Sequence, residues 1–455
     1  MTQIRLTGSA GALPLRRLAL SAALACATFP AWPLDLKQAF EAALEQDANI
    51  RASRAAAEAG RERLPQARAQ LLPNLSFSAG RNKNDLTSTA PNFFGQEQTT
   101  QNNYFSGNLA LTLRLPLLRP ASWAQYRQAE AQAEEADATL EKDLQNLTVR
   151  VGGAYFETLL ADDQLALVLA QNTTYTTQLD AARKALAAGS GTRTDIDEAQ
   201  ARLDMAVAQE LEARQQQDFT RRQLQTLVNQ PIERLAPLDV ERLQLLPPVP
   251  ARVEDWVERA EQDSPEIQTL KAQLEGARQE VAKAQAGHYP TLDAIAQRSR
   301  SDSENVLNIR SSYNNTALGV QLSVPIFAGG YVNATVRQAL AEQERIEQSL
   351  EAQRRQLGVR VHKEFRGINE GVLRVRALEQ AVRSATQVVQ STRKSFAAGS
   401  RTQLDILNAE QQRVLALRDL AQARYVYLIS RLRLQALAGG ERHAAIAEIN
   451  AWLQP

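Results

Sequence analysis

The side chains best placed to do chemistry in this chain come in two matched sets. Residues 183–196 read RKALAAGSGTRTDI and residues 393–406 read RKSFAAGSRTQLDI, identical at nine of fourteen positions and offset by 210. Each set carries a threonine three residues before an aspartate: Thr192 and Asp195 in the first, Thr402 and Asp405 in the second. That spacing makes a capping box. The hydroxyl accepts a backbone N–H from the first turn of a new helix, the acid accepts the N–H of the threonine, and the negative charge suits the positive end of the helix dipole. Capping by itself accounts for both aspartates. It does not account for Arg401, which faces only glycine, Gly191, at the equivalent place in the first set.

Other chemistry has little to stand on. His288, His362 and His443 are scattered, and there is no CxxC, no phosphate-binding glycine loop and no GxSxG. No cluster of acid, base and nucleophile points to an enzyme, a cofactor or a metal. With 52 basic and 51 acidic residues the charges are balanced and well mixed, so no basic face invites nucleic acid. Aromatic residues make up only 5%, while alanine and glutamine are plentiful, the composition of long helices with small-residue seams.

The two sets sit at the ends of such helices. Residues 332–397 carry Leu350, Leu357, Val361, Ile368, Val372 and Val375 at spacings of seven, four and three, and residues 121–187 carry Leu140, Leu144, Leu147, Val151 and Ala154 likewise. These are coiled-coil seams. At 1.5 Å per residue each helix would be about 100 Å long. Gly189 and Gly399 stand where a left-handed C-terminal cap is needed, and new helices begin at Thr192 or Thr194 and at Thr402. Each long helix therefore folds back as an antiparallel hairpin, returning as far as 228 and 437.

The duplication extends well beyond these tips. Pro73 and Leu75 match Pro290 and Leu292 at an offset of 217, whereas Leu109, Leu113 and Pro116 match Leu318, Leu322 and Pro325 at 209. The first copy thus holds about eight extra residues between Leu75 and Leu109, which are expected in a loop. Helical patterns over 36–72 and 253–287 lead to Pro73 and Pro290. Short strands follow at 75–80 and 291–297, then polar loops, 81–103 in the first copy. In the second strand of each copy Leu109, Leu111, Leu113 and Leu115, or Leu318, Val320, Leu322 and Val324, alternate with polar or small residues, giving one apolar face. Pro116 and Pro325 close these strands. The resulting divisions are a first repeat at 28–230 (hairpin 75–116, helix hairpin 121–228), a proline-rich connector at 231–252, a second repeat at 253–440 (hairpin 291–326, helix hairpin 332–437) and a C-terminal tail at 441–455.

Arg16 and Arg17 precede an apolar run over 18–27 that ends Ala25-Cys26-Ala27, a secretory signal predicted at 1–27. The run falls short of the roughly 20 apolar residues a membrane-spanning helix needs. Four strands cannot close a barrel, which takes about eight, so an isolated chain would leave two open edges and one apolar face bare. Alternating strands behind a signal peptide fit an outer-membrane β-barrel shared by several chains. Because all four strands meet their helices at Pro73, Pro116, Pro290 and Pro325, the helices project to one side of the membrane. Tyr104, Phe105, Trp123, Tyr289, Tyr313, Phe327 and Tyr331 suit an aromatic belt at the membrane interface.

Segments 284–293 (AQAGHYPTLD), 323–333 (SVPIFAGGYVN), 399–407 (GSRTQLDIL) and 423–429 (ARYVYLI) resemble the TolC family of outer-membrane channel proteins in content, order and spacing. The resemblance covers nearly the whole mature chain. It implies a homotrimer in outer-membrane lipid, with a twelve-strand membrane β-barrel joined to a long α-helical barrel in the periplasm and no cofactor. It also implies partners: a periplasmic adaptor (membrane fusion) protein and an inner-membrane pump of ABC or RND type. The export would be type I protein secretion, multidrug efflux or both. By the same resemblance Arg401 bonds Thr194 and Asp195 of a neighbouring hairpin, and Asp405 lines the narrowest point. Phe396 replaces the tyrosine usual in the family, which removes one gating hydrogen bond. Asn408 replaces a frequent second aspartate, one helical turn from Asp405, so the aperture carries less negative charge. The rival class is a periplasmic coiled-coil scaffold that binds partners without forming a pore.

Overall fold

The computed structural model describes residues 33–304 and 310–454, so the signal read at 1–27 lies outside the described residues. Three helices, α1 (Leu36–Gln46), α2 (Ala48–Arg61) and α3 (Arg63–Ala69), replace the single helix expected over 36–72. Asp47 causes the first break. Its backbone is extended, and its carboxylate accepts the Ile50 N–H at 3.0 Å and the Arg150 guanidinium at 2.7 Å. A residue that caps the next helix cannot continue the last one.

The sheet is built from β1 (Asn74–Pro91), β2 (Glu97–Leu118), β3 (Thr291–Glu304) and β4 (Arg310–Ser323), all antiparallel in the order β1-β2-β3-β4. Two expectations need correction here. The polar stretch 81–103 is mostly strand, and the extra residues of the first copy lengthen the hairpin to strands of 18 and 22 residues against 14 and 14 in the second. Both faces are polar there, so no period of two marks the strands, while the ladder satisfies the backbone all the same. Cross-strand contacts such as Asn84 to Ser106 at 2.8 Å and Thr89 to Thr99 at 3.0 Å add to it. Nor does Pro116 end its strand. The register shifts between Pro116 and Leu118, a bulge that absorbs the missing N–H.

The register sorts the two faces. Leu75 pairs with Leu113, which pairs with Ala296, which pairs with Leu318. The neighbouring rows on that face bring in Phe77, Leu111, Leu115, Ala294, Val320 and Leu322. The opposite face carries Ser76, Thr112, Gln297, Arg114 and Asp293. Leu318 is 82% exposed and Leu75 64%. Water would not tolerate such a face on a single chain, and lipid would. Of the seven belt aromatics, Phe105 falls on the apolar face, whereas Tyr104 and Tyr313 fall on the polar one.

Pro120 opens α4 (Pro120–Ala187), whose 68 residues turn back as α5 (Arg193–Val228). In the second copy α6 (Val253–Asp263) and α7 (Pro265–Gln285) divide the helix expected over 253–287. Ser264 stands before Pro265, where helical backbone is disfavoured and no N–H is available, a signal the sequence already held. A helix of 67 residues, α8 (Tyr331–Ala397), turns back as α9 (Gln403–Leu437), and α10 (Arg442–Asn450) occupies the tail. Each long helix therefore runs beside two shorter partners, the returning helix below and the short helices that lead to the sheet above. The expected seam of α8 is buried from Leu350 to Val375.

The main core lies midway along the shaft. There α1, α10 and the connector wrap α4 around Tyr155, Phe156, Leu36, Phe40 and Trp452. The Tyr155 hydroxyl lies 3.0 Å from the carbonyl oxygens of Leu34 and Ala236, which fastens the connector to the shaft.

Candidate gate at the helix-hairpin tips

Each tip is set by a glycine followed by a cap. Gly189 and Gly399 have φ of 75° and 77°, which residues with a Cβ rarely adopt, and they close their helices as the repeated motif required. Both capping boxes form. Asp195 Oδ2 accepts the Thr192 N–H at 2.9 Å and its hydroxyl at 2.7 Å. Asp405 Oδ2 accepts both from Thr402 at 2.9 Å. The Thr402 backbone and side-chain hydrogen bonds, helped by the nearby Arg401 guanidinium, hold the Asp405 carboxyl below the usual carboxylate range.

The gate residues named from the sequence are only partly brought together within one chain. Arg401 Nη1 lies 3.5 Å from Asp405 Oδ1 of its own helix. Asn408 does not stand free beside Asp405. It accepts Arg202 of α5 at 3.0 Å, and the same guanidinium reaches Gln411 at 2.6 Å. Thr194 and Phe396 are exposed. Leu407 is fully buried against Tyr175 of α4 and Ala206 of α5, which joins the second hairpin to the first.

Reading the sequence missed a buried ion-pair cluster just behind the tip. Glu410 is 3% exposed and is held between Arg393 of α8 and Arg413 of its own helix, the latter at 3.1 Å. A signal was present, since Arg393 matches Arg183 in the repeat, and Arg183 reaches Gln200, the counterpart of Glu410, at 3.3 Å. At the other end of the shaft Asp293 was missed too. Its carboxylate is nearly buried and accepts Arg114 and Arg119, each at 2.7 Å, tying the end of β2 and the start of α4 to β3. Of the junction prolines, Pro73 and Pro290 directly precede β1 and β3, Pro325 follows β4, and Pro116 lies in the bulge. Among the described residues no helix is long and apolar enough to cross a membrane, and no group of side chains could hold a metal ion.

An antiparallel sheet with a lipid-suited face, carried on two helices of about 100 Å that turn back at capped tips, defines an outer-membrane channel protein with a periplasmic helical domain. The chain belongs to the family described as Outer membrane efflux protein, which matches residues 39–230 and 256–440. It is 39% identical over 420 residues to Alkaline protease secretion protein AprF of Pseudomonas aeruginosa, covering 90% of this chain and 85% of that one. Over 423 residues it is 33% identical to Proteases secretion protein PrtF of Dickeya chrysanthemi, covering 92% and 91%. Among solved structures it is similar to the outer membrane protein VceC of Vibrio cholerae, with a TM-score of 0.75, 20% identity and coverage of 89% and 96%. The chain is an outer-membrane exit duct of tripartite export systems, in which such channels work with adaptor proteins and inner-membrane pumps.

Proposed function

We propose that three copies close one twelve-strand barrel and one helical tunnel, and that the assembly releases a secreted protein handed on by an ABC-type pump through its adaptor. The observation that carries the assembly is the sheet. Strands β1 and β4 keep unpaired edges, and one face carries an exposed apolar belt over the half of the sheet nearer the helices, so the chain is incomplete until sister copies supply neighbours. Three chains of four strands give a lumen wide enough for cargo, whereas two chains give only the eight strands whose interior side chains fill. The identity to two protease-secretion proteins supports protein as cargo over small molecules.

The tips act as the gate in this reading. Arg401 of one chain pairs with Thr194 and Asp195 of the next, and Asp405 rings the aperture, with Asn408 weakening the ring by one charge per chain. Charge-assisted pairs at an exposed tip hold it shut weakly enough for an adaptor to open it. Two measurements test the whole. Mass determination in detergent should give three chains per particle, and purified protein in a planar bilayer should conduct in small steps. A two-chain particle, or a membrane with no conductance, rejects the reading. Deleting the gene should abolish secretion of the cargo protein; drug sensitivity rising with secretion intact would instead make small molecules the cargo.

A further inference from the structure

Above the apolar belt the lipid-facing side of the sheet changes character within one or two rows. On that face Phe77 and Leu111 are followed across the sheet by Arg298, and Ala79 and Leu109 by Arg300. The next row holds Arg81, Gly107 and Asp302, and the one beyond pairs Lys83 with Phe105. Four cations thus stand on one face, stepping from Lys83 and Arg81 on β1 to Arg300 and Arg298 on β3. An oblique boundary of this kind is what strands tilted about 40° require for a level one.

The opposite face at the same height is neutral. Its rows read Ser78, Ala110, Ser299 and Asn315, then Gly80, Asn108, Ser301 and Tyr313, then Asn82, Ser106, Ser303 and Ser311. Sorting of charge to one side of a sheet is not what a general need for solubility produces, since both faces of an aqueous hairpin meet water alike. Arg81, Lys83 and Arg298 are exposed, and the Arg300 side chain is 56% exposed. Arg300 lies 3.2 Å from Asp302, an exposed pair that leaves its remaining N–H groups open. Arg81 lies 5.3 Å from the Phe105 ring. Among the described residues Arg298 and Lys83 have no ion-pair partner. Gly107 has no side chain, and the notch it leaves is lined by Arg81, Phe105, Leu109 and Asp302.

We infer that this girdle binds the phosphorylated headgroup of a lipid in the leaflet away from the helices, whose acyl chains cover the leucine belt below. The occupant must be amphiphilic, because apolar surface and cations adjoin on one face, and anionic, because cations outnumber the neighbouring acids Asp302 and Asp85. Guanidinium groups match phosphate oxygens in a two-pronged geometry, and three of the four cations are arginine. The inference rests on the barrel spanning the membrane. Bilayer conductance tests that separately, and it should be normal in the variants below if only the lipid site is lost.

Melting of the purified protein in a non-ionic detergent, titrated with diphosphorylated lipid A, is the direct test. Its control arms are dephosphorylated lipid A and inorganic phosphate. The phosphorylated lipid should raise the melting temperature in a saturable manner, while neither control should. Double substitution of Arg298→Gln and Arg300→Gln should weaken half-saturation about thirtyfold, from roughly 1 kcal/mol for each of the two surface charges removed. Equal stabilisation by the dephosphorylated lipid, or by inorganic phosphate, overturns the inference, as does an unchanged titration in the double variant. If the variant does not assemble, the three-arm comparison on the unsubstituted protein still decides.

Discussion

The two hairpin tips share nine of fourteen residues and a common turn, yet they differ in what lies one helical turn further in. At the first tip Arg183 meets an amide, Gln200, and the position equivalent to Leu407 is Asp197, exposed and 3.2 Å from Arg193. At the second tip the same places hold a buried carboxylate and a buried leucine, Glu410 and Leu407. Duplication preserved the local chemistry that makes a turn, glycine then threonine then aspartate. It let the inward face diverge, so that only the second hairpin buries a leucine and a carboxylate at these places, while the first reaches across through Arg202 to Asn408 and Gln411. The second hairpin is therefore anchored against α4 and α5, while the first offers a solvated surface to whatever lies beyond it.

Removing the anchor should produce the largest difference between the tips. Leu407→Ala takes a fully buried side chain away from Tyr175 and Ala206, and should cost about 2–4 kcal/mol of local stability. The matched change Asp197→Ala removes only an exposed pair and should cost less than about 0.5 kcal/mol. Hydrogen exchange of the backbone amides in α9 and α5 reads both. Equal protection losses at the two tips would dissolve the distinction drawn between them.

A milder change makes the second tip imitate the first. Glu410→Gln converts the carboxylate between Arg393 and Arg413 into the amide found at Gln200. It should cost about 1–2 kcal/mol locally, with the half-exposed Arg393 limiting the loss. The reciprocal Gln200→Glu should be nearly neutral, since no second arginine is placed to match Arg413: Leu203 occupies that position. Thermal melting of the tip followed by exchange, at low and high salt, separates the two outcomes.

The contrast also explains what the sequence showed and what it hid. Gly189, Gly399, Thr192, Thr402 and the two aspartates were legible because a turn is decided by neighbours in the chain. The seam from Leu350 to Val375 was legible because burial on a long helix repeats in register. The reach of β1 and β2 past 80 and 103 was not, because polar side chains on both faces erase the alternation that marks a strand. The Glu410 clamp and the Arg202 contacts with Asn408 and Gln411 depend on which helix faces which, and spacing within one helix does not carry that information. Asn408 was legible as a departure in charge, but not as the partner of a residue 206 positions away.

Arg401 is the polar asymmetry closest to the turn, with Gly191 as its counterpart. Arg401→Ser should leave the fold and both capping boxes intact and raise single-channel conductance, by loosening the pairing proposed with Thr194 and Asp195 of the adjacent chain. Arg401→Lys should recover part of the closure, since a point charge replaces a two-pronged one. Currents indistinguishable from those of the unsubstituted channel would leave Arg401 as no more than the exposed neighbour of Asp405.

The smallest effect concerns acid. Asp405 accepts the Thr402 N–H and hydroxyl and lies near Arg401, and these hold its carboxyl below the ordinary value of about 3.9. A depressed folded pKa means the cap's contribution is fully present above the unfolded value and is lost only as pH falls through the lower folded one. The charge proposed to ring the aperture should therefore survive mild acid. Cation selectivity, read from reversal potentials in a salt gradient, should be the same at pH 7 and pH 5 and should fade only below about pH 4. Asp405→Asn should give the faded selectivity at every pH, while its amide oxygen keeps part of the cap. A selectivity that titrates near pH 5 in the unsubstituted channel, and still does so in Asp405→Asn, would move the aperture charge to a different carboxylate.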